Sequence, residues 1–477
     1  MKESITSSLP SYFSVLCYSN LLILKKCGTW IAKWLNFIHI QLPNLFYFIP
    51  EYFDTFLSDI VRFFLRIPID RCAFITNDLI EDFLSPDFMG QYIDFVSAHL
   101  NDEGISNPEY HEAFLTKLNM LLQVKKIMFL LESSSTANKF LVTNMISGFK
   151  MKNLNALCKN FLRIFRTRNF LEIKYSYLPE FNSDKLKKQF QYLMCTNEAL
   201  YNDFLNNLLN NMASTLTNVL VLYHDGNKVN LEDREREFIM NEIRKSIHLL
   251  YDMNRVLETV INLLVDLFIE KKNANQYRII DYLTSQIFQI SNITGIGKVI
   301  NLYSEIDFSI VEYSYKFISP IAGIIETLYS KFIDLNKKSE EAAAKDTFNL
   351  LKDGDSFSVD SFKIMSELIT EELDFYKEEV KRYENLKVLT NFFIKISKED
   401  NNNVQKKNVN EIPEDKLCAI CRDKENDTYF IPCEHQSCNK CINIYLMNKY
   451  FSFSKKCPFC NVEVKSIESI KKPHILP

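Results

Sequence analysis

Apolar residues recur at helical spacing through most of this chain. Phe53, Phe56, Leu57, Ile60, Phe63 and Phe64 follow at steps of three and four, predicting a helix with a broad buried stripe. It is entered at Pro50-Glu51-Tyr52, where proline suits a first helical turn. Ser85-Pro86 and Asn107-Pro108 open two further helices, over roughly 87–100 and 109–131. A longer stretch, 231–271, begins with charged residues at 232–237. It then turns apolar through Leu249, Leu250, Val256, Val260, Leu263, Leu264 and Phe268, a stripe of the kind that faces a core. Asp353-Gly354-Asp355 breaks the pattern. It resumes from Val359 to Ile396 as one long expected helix, with Phe362, Met365, Leu368, Ile369, Leu373 and Tyr376 along one side.

The N-terminal stretch 1–43 is apolar but interrupted. Tyr12 to Leu24 is followed by Lys25-Lys26, and the runs Trp30 to Ile40 and Leu45 to Ile49 are broken by Lys33, Asn36, Gln41 and Pro43. These runs are shorter than the roughly 18–20 apolar residues of a membrane span, and no small-residue cleavage site is evident. Buried core helices are expected there, and no membrane partner. No repeat of fixed length is visible, so a regular solenoid of the tetratricopeptide type is not supported. An irregular array of helical pairs is expected over 44–396. Residues 397–413, with Asn401-Asn402-Asn403, Lys406-Lys407 and almost no apolar content, read as a flexible linker.

Composition supports a mainly α chain. There are only 9 glycines and 13 prolines in 477 residues, a length that suits two to four domains. A net charge of -4 gives no electrostatic case for binding nucleic acid. The run ending at Gly297 has a glycine pair but lacks the third glycine of a phosphate-cradling loop. His224-Asp225 and His248 read as surface or packing residues, so no catalytic residue and no organic cofactor site is expected. Cys17, Cys27, Cys72, Cys158 and Cys195 are scattered and read as free or buried thiols.

The other seven of the 12 cysteines lie between residues 418 and 460 with one histidine. They form Cys418-x2-Cys421, Cys433-x-His435, Cys438-x2-Cys441 and Cys457-x2-Cys460. Four close-spaced pairs of thiolate and imidazole can hold two tetrahedral zinc ions. A small domain poor in apolar residues can draw most of its folding free energy from such metals. Spacing alone does not reveal which pairs share an ion. Zinc thiolates must stay reduced, which places the protein in the cytosol or nucleus.

Three cysteines, one histidine and four cysteines is the order of the RING finger, and residues 414–465 resemble that family. The resemblance implies a small cross-brace domain. Cys418, Cys421, Cys438 and Cys441 would bind one Zn2+, and Cys433, His435, Cys457 and Cys460 the other. It also implies a platform for a ubiquitin-conjugating enzyme (E2). Ile420 would insert against the E2, Tyr445 would face it from a central helix over 442–450, and Pro458 and Phe459 would line the same groove. Asn461 stands where active RINGs often carry Arg or Lys, offering a neutral donor without charge assistance. Glu434 replaces the familiar glycine before the histidine, which predicts that no positive φ is needed there.

The run Pro432-Cys433-Glu434-His435-Gln436-Ser437-Cys438-Asn439-Lys440-Cys441-Ile442, with Leu446-Met447-Asn448 and Cys457-Pro458-Phe459-Cys460, is similar to the RING of the SPRY-and-RING E3 ligases. That group includes the catalytic subunit of the Kip ubiquitylation-promoting complex. It sets long helical regions before its RING, whereas its Gly- and Trp-rich SPRY β-sandwich has no counterpart in this chain. The expectation is a RING-type E3 ubiquitin ligase that binds ubiquitin-loaded E2 and promotes direct transfer to lysines of an unnamed substrate. The alternative is a non-catalytic zinc-dependent scaffold. Residues 466–477 are expected as a C-terminal tail.

Overall fold

The computed structural model describes residues 18–46, 48–49, 52–66, 83, 85–100, 108–122, 124–150, 154–165, 184–226, 233–270, 276–287, 310–336, 340–354, 356–370, 380–405, 418, 426–438 and 466–469. They form two compact units, 1–390 and 391–477.

The first unit is an irregular array of helices. Its main members are α1 (Tyr18–Gln41), α2 (Tyr52–Arg66), α3 (Gln91–His99), α4 (Pro108–Leu121), α5 (Leu154–Phe165) and α6 (Asp184–Thr196). They are followed by α7 (Glu198–Gly226), α8 (Asp233–Glu270), α9 (Ile310–Asn336), α10 (Glu340–Lys352) and α11 (Val359–Thr370). Helix α7 packs along α8, and α8 along α9. Midway along α8, Met253, Val256, Leu257, Val260 and Ile261 are all buried, as are Asn254, Glu258 and Thr259. Protein therefore surrounds this part of α8 on every side. Within it, Arg255 Nη1 lies 3.0 Å from Glu258 Oε2, a buried ion pair one turn apart. A second nucleus is aromatic: Phe149, Phe161, Phe165, Phe190 and Phe204 are fully buried, and Phe161 contacts the other four at centroid distances of 4.6–6.2 Å.

Several expected elements change in detail. The apolar stripe of α2 is rotated. Leu57, Ile60 and Val61 are buried, but Phe56 is 42% exposed, and Asp54 and Ser58 take the inner face instead. The cause is a buried ion pair, in which the Lys117 ammonium of α4 donates to the Asp54 carboxylate and lies 4.4 Å from the centre of the Phe114 ring. Tyr92 Oη donates to Ser58 Oγ at 3.2 Å, and Ser58 Oγ donates to the Asp54 carbonyl at 2.7 Å. Burial pushes the Lys117 pKa down, opposed by attraction to Asp54. The helix expected over 109–131 is two helices, α4 and Lys125–Ser133, because Val124 is extended at φ -108, ψ 114. The bend lets Leu118 and Leu121 on one side and Ile127, Met128 and Leu131 on the other all face the core.

Helix α1 buries Ile31, Ala32, Leu35 and Ile38, while Ile23, Trp30, Phe37 and Ile40 on its other face are exposed. Among the described residues no helix is long and apolar enough to cross a membrane. Helix α10 stops before Gly354, as the Asp-Gly-Asp break predicts, and a Cβ there would run into the Thr284 side chain. The helix expected from Val359 to Ile396 comprises α11 and α12 (Val380–Gln405), with 371–379 outside the described residues. Helix α12 also continues through 397–405, the first part of the segment expected as a linker. Asn and Lys are only modestly unfavourable in a helix, so low apolar content does not by itself prevent extension. His248 is exposed on α8. The glycine pair and the side chains of His224 and Asp225 lie outside the described residues.

The second unit contains a three-stranded antiparallel sheet, ordered β2-β1-β3: β1 (Thr428–Ile431), β2 (Gln436–Ser437) and β3 (Ser466–Ser469). Strand β3 pairs with the whole of β1, from Thr428↔Ser469 to Ile431↔Ser466. Residues 466–469, expected as tail, therefore belong to the domain. Its buried apolar side chains among the described residues are few: Phe393, Ile396 and Phe430, with Cys418 and Cys438 also buried.

Candidate metal centre

Four of the eight expected ligands lie among the described residues, and the hairpin β1–β2 carries or adjoins three of them. The chain leaves β1, turns through Pro432-Cys433-Glu434 and re-enters at His435. Phe430 N–H donates to the His435 carbonyl at 3.0 Å, and Glu434 N–H donates to the Phe430 carbonyl at 2.7 Å. Closing that tight turn puts Glu434 at φ 57, in the left-handed region. The expectation that Glu434 needs no positive φ is therefore wrong. The turn geometry that favours glycine persists although the glycine does not.

The turn displays Cys433, half-buried, and His435, exposed, two residues apart. Cys433 Sγ approaches the Phe430 carbonyl at 3.8 Å. Strand β2 then alternates. Gln436 is exposed and Ser437 fully buried, and Cys438, just beyond the strand, is 1% exposed. Cys418, twenty residues earlier in the chain than Cys438, reaches the same buried side, with its Sγ 2.9 Å from Ser437 Oγ. The hydroxyl of Thr428 donates to the Ser437 carbonyl at 2.8 Å and fixes the register there.

These residues suit zinc. Cys418 and Cys438 are buried, and Cys418 lies beside the Ser437 hydroxyl rather than in a purely apolar pocket. Sulfur with one imidazole is the donor chemistry that structural zinc prefers. Cys418 is brought beside the residue that precedes Cys438. Cys433 and His435 sit together on the turn. Cys421, Cys441, Cys457 and Cys460 lie outside the described residues, as do Ile420, Tyr445, Pro458, Phe459 and Asn461. Among the described residues no group of three or more potential ligands is close enough to define a metal site by itself.

Comparison with known proteins decides what this hairpin belongs to. Residues 414–467 match the family described as zinc finger, C3HC4 type (RING finger). This stretch is a RING finger. Its match runs into β3, in keeping with the pairing of that strand to β1. RING fingers are zinc-binding folds, which agrees with the thiols described above.

Upstream of the RING finger, residues 202–423 match a family described as RNF123-like, TPR repeat. The sequence had not supported a tetratricopeptide-type array. Helix lengths explain why: α7, α9 and α10 have 29, 27 and 13 residues, and α8 is broken at Leu264 (φ -120, ψ 20), so equivalent positions do not recur at one interval. The chain is also similar to E3 ubiquitin-protein ligase RKP of Arabidopsis thaliana, with 23% identity over 473 residues, 91% of this chain. It spans 33% of that relative's length. A mainly α chain carrying a RING finger after an RNF123-like helical region agrees with the resemblance to the Kip-type RING ligases.

The sequence reading missed Ser437, Thr428 and β3. Ser437 did have a signal, since a small hydroxyl residue directly precedes a metal ligand.

Proposed function

We propose that the chain acts as a RING-type E3 ubiquitin ligase. The observation that carries this reading is the RING finger at 414–467 in a chain similar to a named E3 ubiquitin-protein ligase. Two Zn2+ ions complete the domain. Cys418, Cys421, Cys438 and Cys441 hold one, and Cys433, His435, Cys457 and Cys460 the other, in the interleaved pattern of RING fingers. The approach of Cys418 to the residue before Cys438 supports that pairing. When bound, zinc supplies folding free energy and fixes the two loops rigidly.

The platform so formed contains no nucleophile and no general base. Ile420, Tyr445, Pro458 and Phe459 bind the E2, and Asn461 donates a hydrogen bond toward E2 and ubiquitin. The amine of a substrate lysine attacks the E2–ubiquitin thioester. An isopeptide bond forms, the thioester breaks, and the E2 thiol leaves. Acceleration comes from holding the thioester in a reactive conformation. The helical array recruits the substrate or regulates access to it, in the cytosol or nucleus. A neutral residue at Asn461 favours one second reading, a zinc-dependent scaffold without transfer activity.

The two readings separate in an autoubiquitylation assay with an E2 panel, run on the full chain with zinc content verified. The ligase forms chains with at least one E2, and Ile420→Ala lowers the rate about tenfold, as expected for loss of about 1.4 kcal/mol of E2 binding. Folded, zinc-loaded protein that is inert with every E2 refutes the ligase reading. Full activity in Ile420→Ala refutes the proposed E2 groove.

A further inference from the structure

We propose that Ser437 is a positioning residue of the metal centre, donating a hydrogen bond from its Oγ to the metal-bound thiolate of Cys418. The inference rests on the zinc reading above and concerns a residue outside the eight ligands.

Ser437 is fully buried, and both of its hydrogen-bonding oxygens are placed. Its carbonyl accepts from Thr428 Oγ1 at 2.8 Å, which fixes its position on β2. Its Oγ lies 2.9 Å from Cys418 Sγ. With a free thiol either atom can donate. A metal-bound thiolate has lost its proton and can only accept, so the direction is set: the serine O–H donates and the sulfur accepts.

The charge balance gives the bond its purpose. Four thiolates on one Zn2+ leave the set with two net negative charges, and Cys418 and Cys438 are 0% and 1% exposed. Buried negative charge requires donors aimed at it. Ser437 supplies one from a position that water does not reach. It also ties Cys418 to the strand leading into Cys438, so one hydroxyl links the two halves of a single zinc set. Outer-shell donors of this kind orient ligands and tune metal affinity.

The test uses the full chain as wild type, Ser437→Ala, Ser437→Thr and Thr428→Val. Zinc affinity is read by competition with a chromophoric chelator. The thiolate bonds are read from the sulfur-to-metal charge-transfer band of the cobalt(II)-substituted protein. Ser437→Ala should weaken retention of one of the two ions by about 10–100-fold. It should also move the charge-transfer band to longer wavelength while the tetrahedral d–d envelope stays. Ser437→Thr, which keeps the hydroxyl, should retain the wild-type band. Thr428→Val should lower the melting temperature without moving the band, since it loosens the strand but leaves the thiolate donor. An unmoved band in Ser437→Ala overturns the proposal even if affinity falls, because packing alone would then account for the loss. Ser437→Thr behaving like Ser437→Ala also overturns it. Wild-type protein without a tetrahedral thiolate–cobalt spectrum would instead sink the zinc reading. Normal spectra with no ubiquitin transfer would sink the ligase reading alone.

Discussion

Glu434 occupies a backbone conformation suited to glycine, and its replacement should strengthen the domain. At φ 57 its Cβ crowds the following carbonyl, a cost of about 1–2 kcal/mol for an L-residue. The conformation is imposed by the two hydrogen bonds that close the turn, Glu434 N–H to Phe430 O and Phe430 N–H to His435 O. The side chain is exposed, so no packing is lost on removing it. Glycine relieves the strain but surrenders about 0.5–1 kcal/mol of chain entropy, leaving a net gain of roughly 0.5–1 kcal/mol. Folding and metal binding are coupled in such a domain, so the gain should appear as zinc retained about two- to fivefold more tightly against a chelator. Glu434→Val should lose affinity, because a β-branched residue tolerates this region worst. Glu434→Asn should fall between glycine and the wild type. Glu434→Gln is the control for removing a negative charge near thiolates, and it should match the wild type if backbone strain dominates. Glycine no better than glutamate, or valine equal to it, would refute the argument.

Other outcomes follow from the two units. Lys117→Met strands the buried Asp54 carboxylate and should destabilise the helical unit by about 3–5 kcal/mol in urea denaturation. Adding Asp54→Leu should recover most of that loss, and a double variant no better than the single would show that the pair is not coupled. Chelating zinc should abolish ubiquitin transfer and increase exchange at the amides of 428–437 while most of the 222-nm ellipticity survives. A single cooperative loss of all helical signal would contradict the independence of the larger unit's core.

The parts of this fold legible in the sequence were those set by local periodicity. The break at Asp353-Gly354-Asp355 and the stretch that became α8 could be read because spacing alone specifies them. What escaped depended on partners distant in the chain. Phe56 was expected on the buried stripe of α2, but Lys117, 63 residues after Asp54, pairs with that carboxylate on the inner face, and Phe56 is exposed. The extended conformation of Val124 follows from the need to bury apolar residues on both sides of a bend. Strand β3 has only Ile467 as an apolar residue, so its pairing with β1 had no signal before the sheet existed. Glu434 misled in a different way. The missing glycine suggested an ordinary conformation, whereas the hydrogen bonds of the turn, rather than residue 434, determine φ.

These contrasts separate two ways of staying folded within one chain. The larger unit buries dozens of apolar side chains, among them those midway along α8 and the Phe149–Phe204 cluster, and it also holds buried ion pairs. The smaller unit has few buried apolar side chains among its described residues, Phe393, Ile396 and Phe430, with two cysteines, Ser437 and Thr428 also buried. Hydrophobic burial of about 1.5–3 kcal/mol per large side chain, from so few described residues, is small beside the cost of ordering the strands. In a RING finger, bound zinc supplies folding free energy of its own. A ligase built on this plan would make its E2 platform conditional on zinc, whereas the helical surface available to a substrate would remain intact. Partner binding should then survive conditions that stop transfer, so the metal-free chain would occupy its substrate without modifying it.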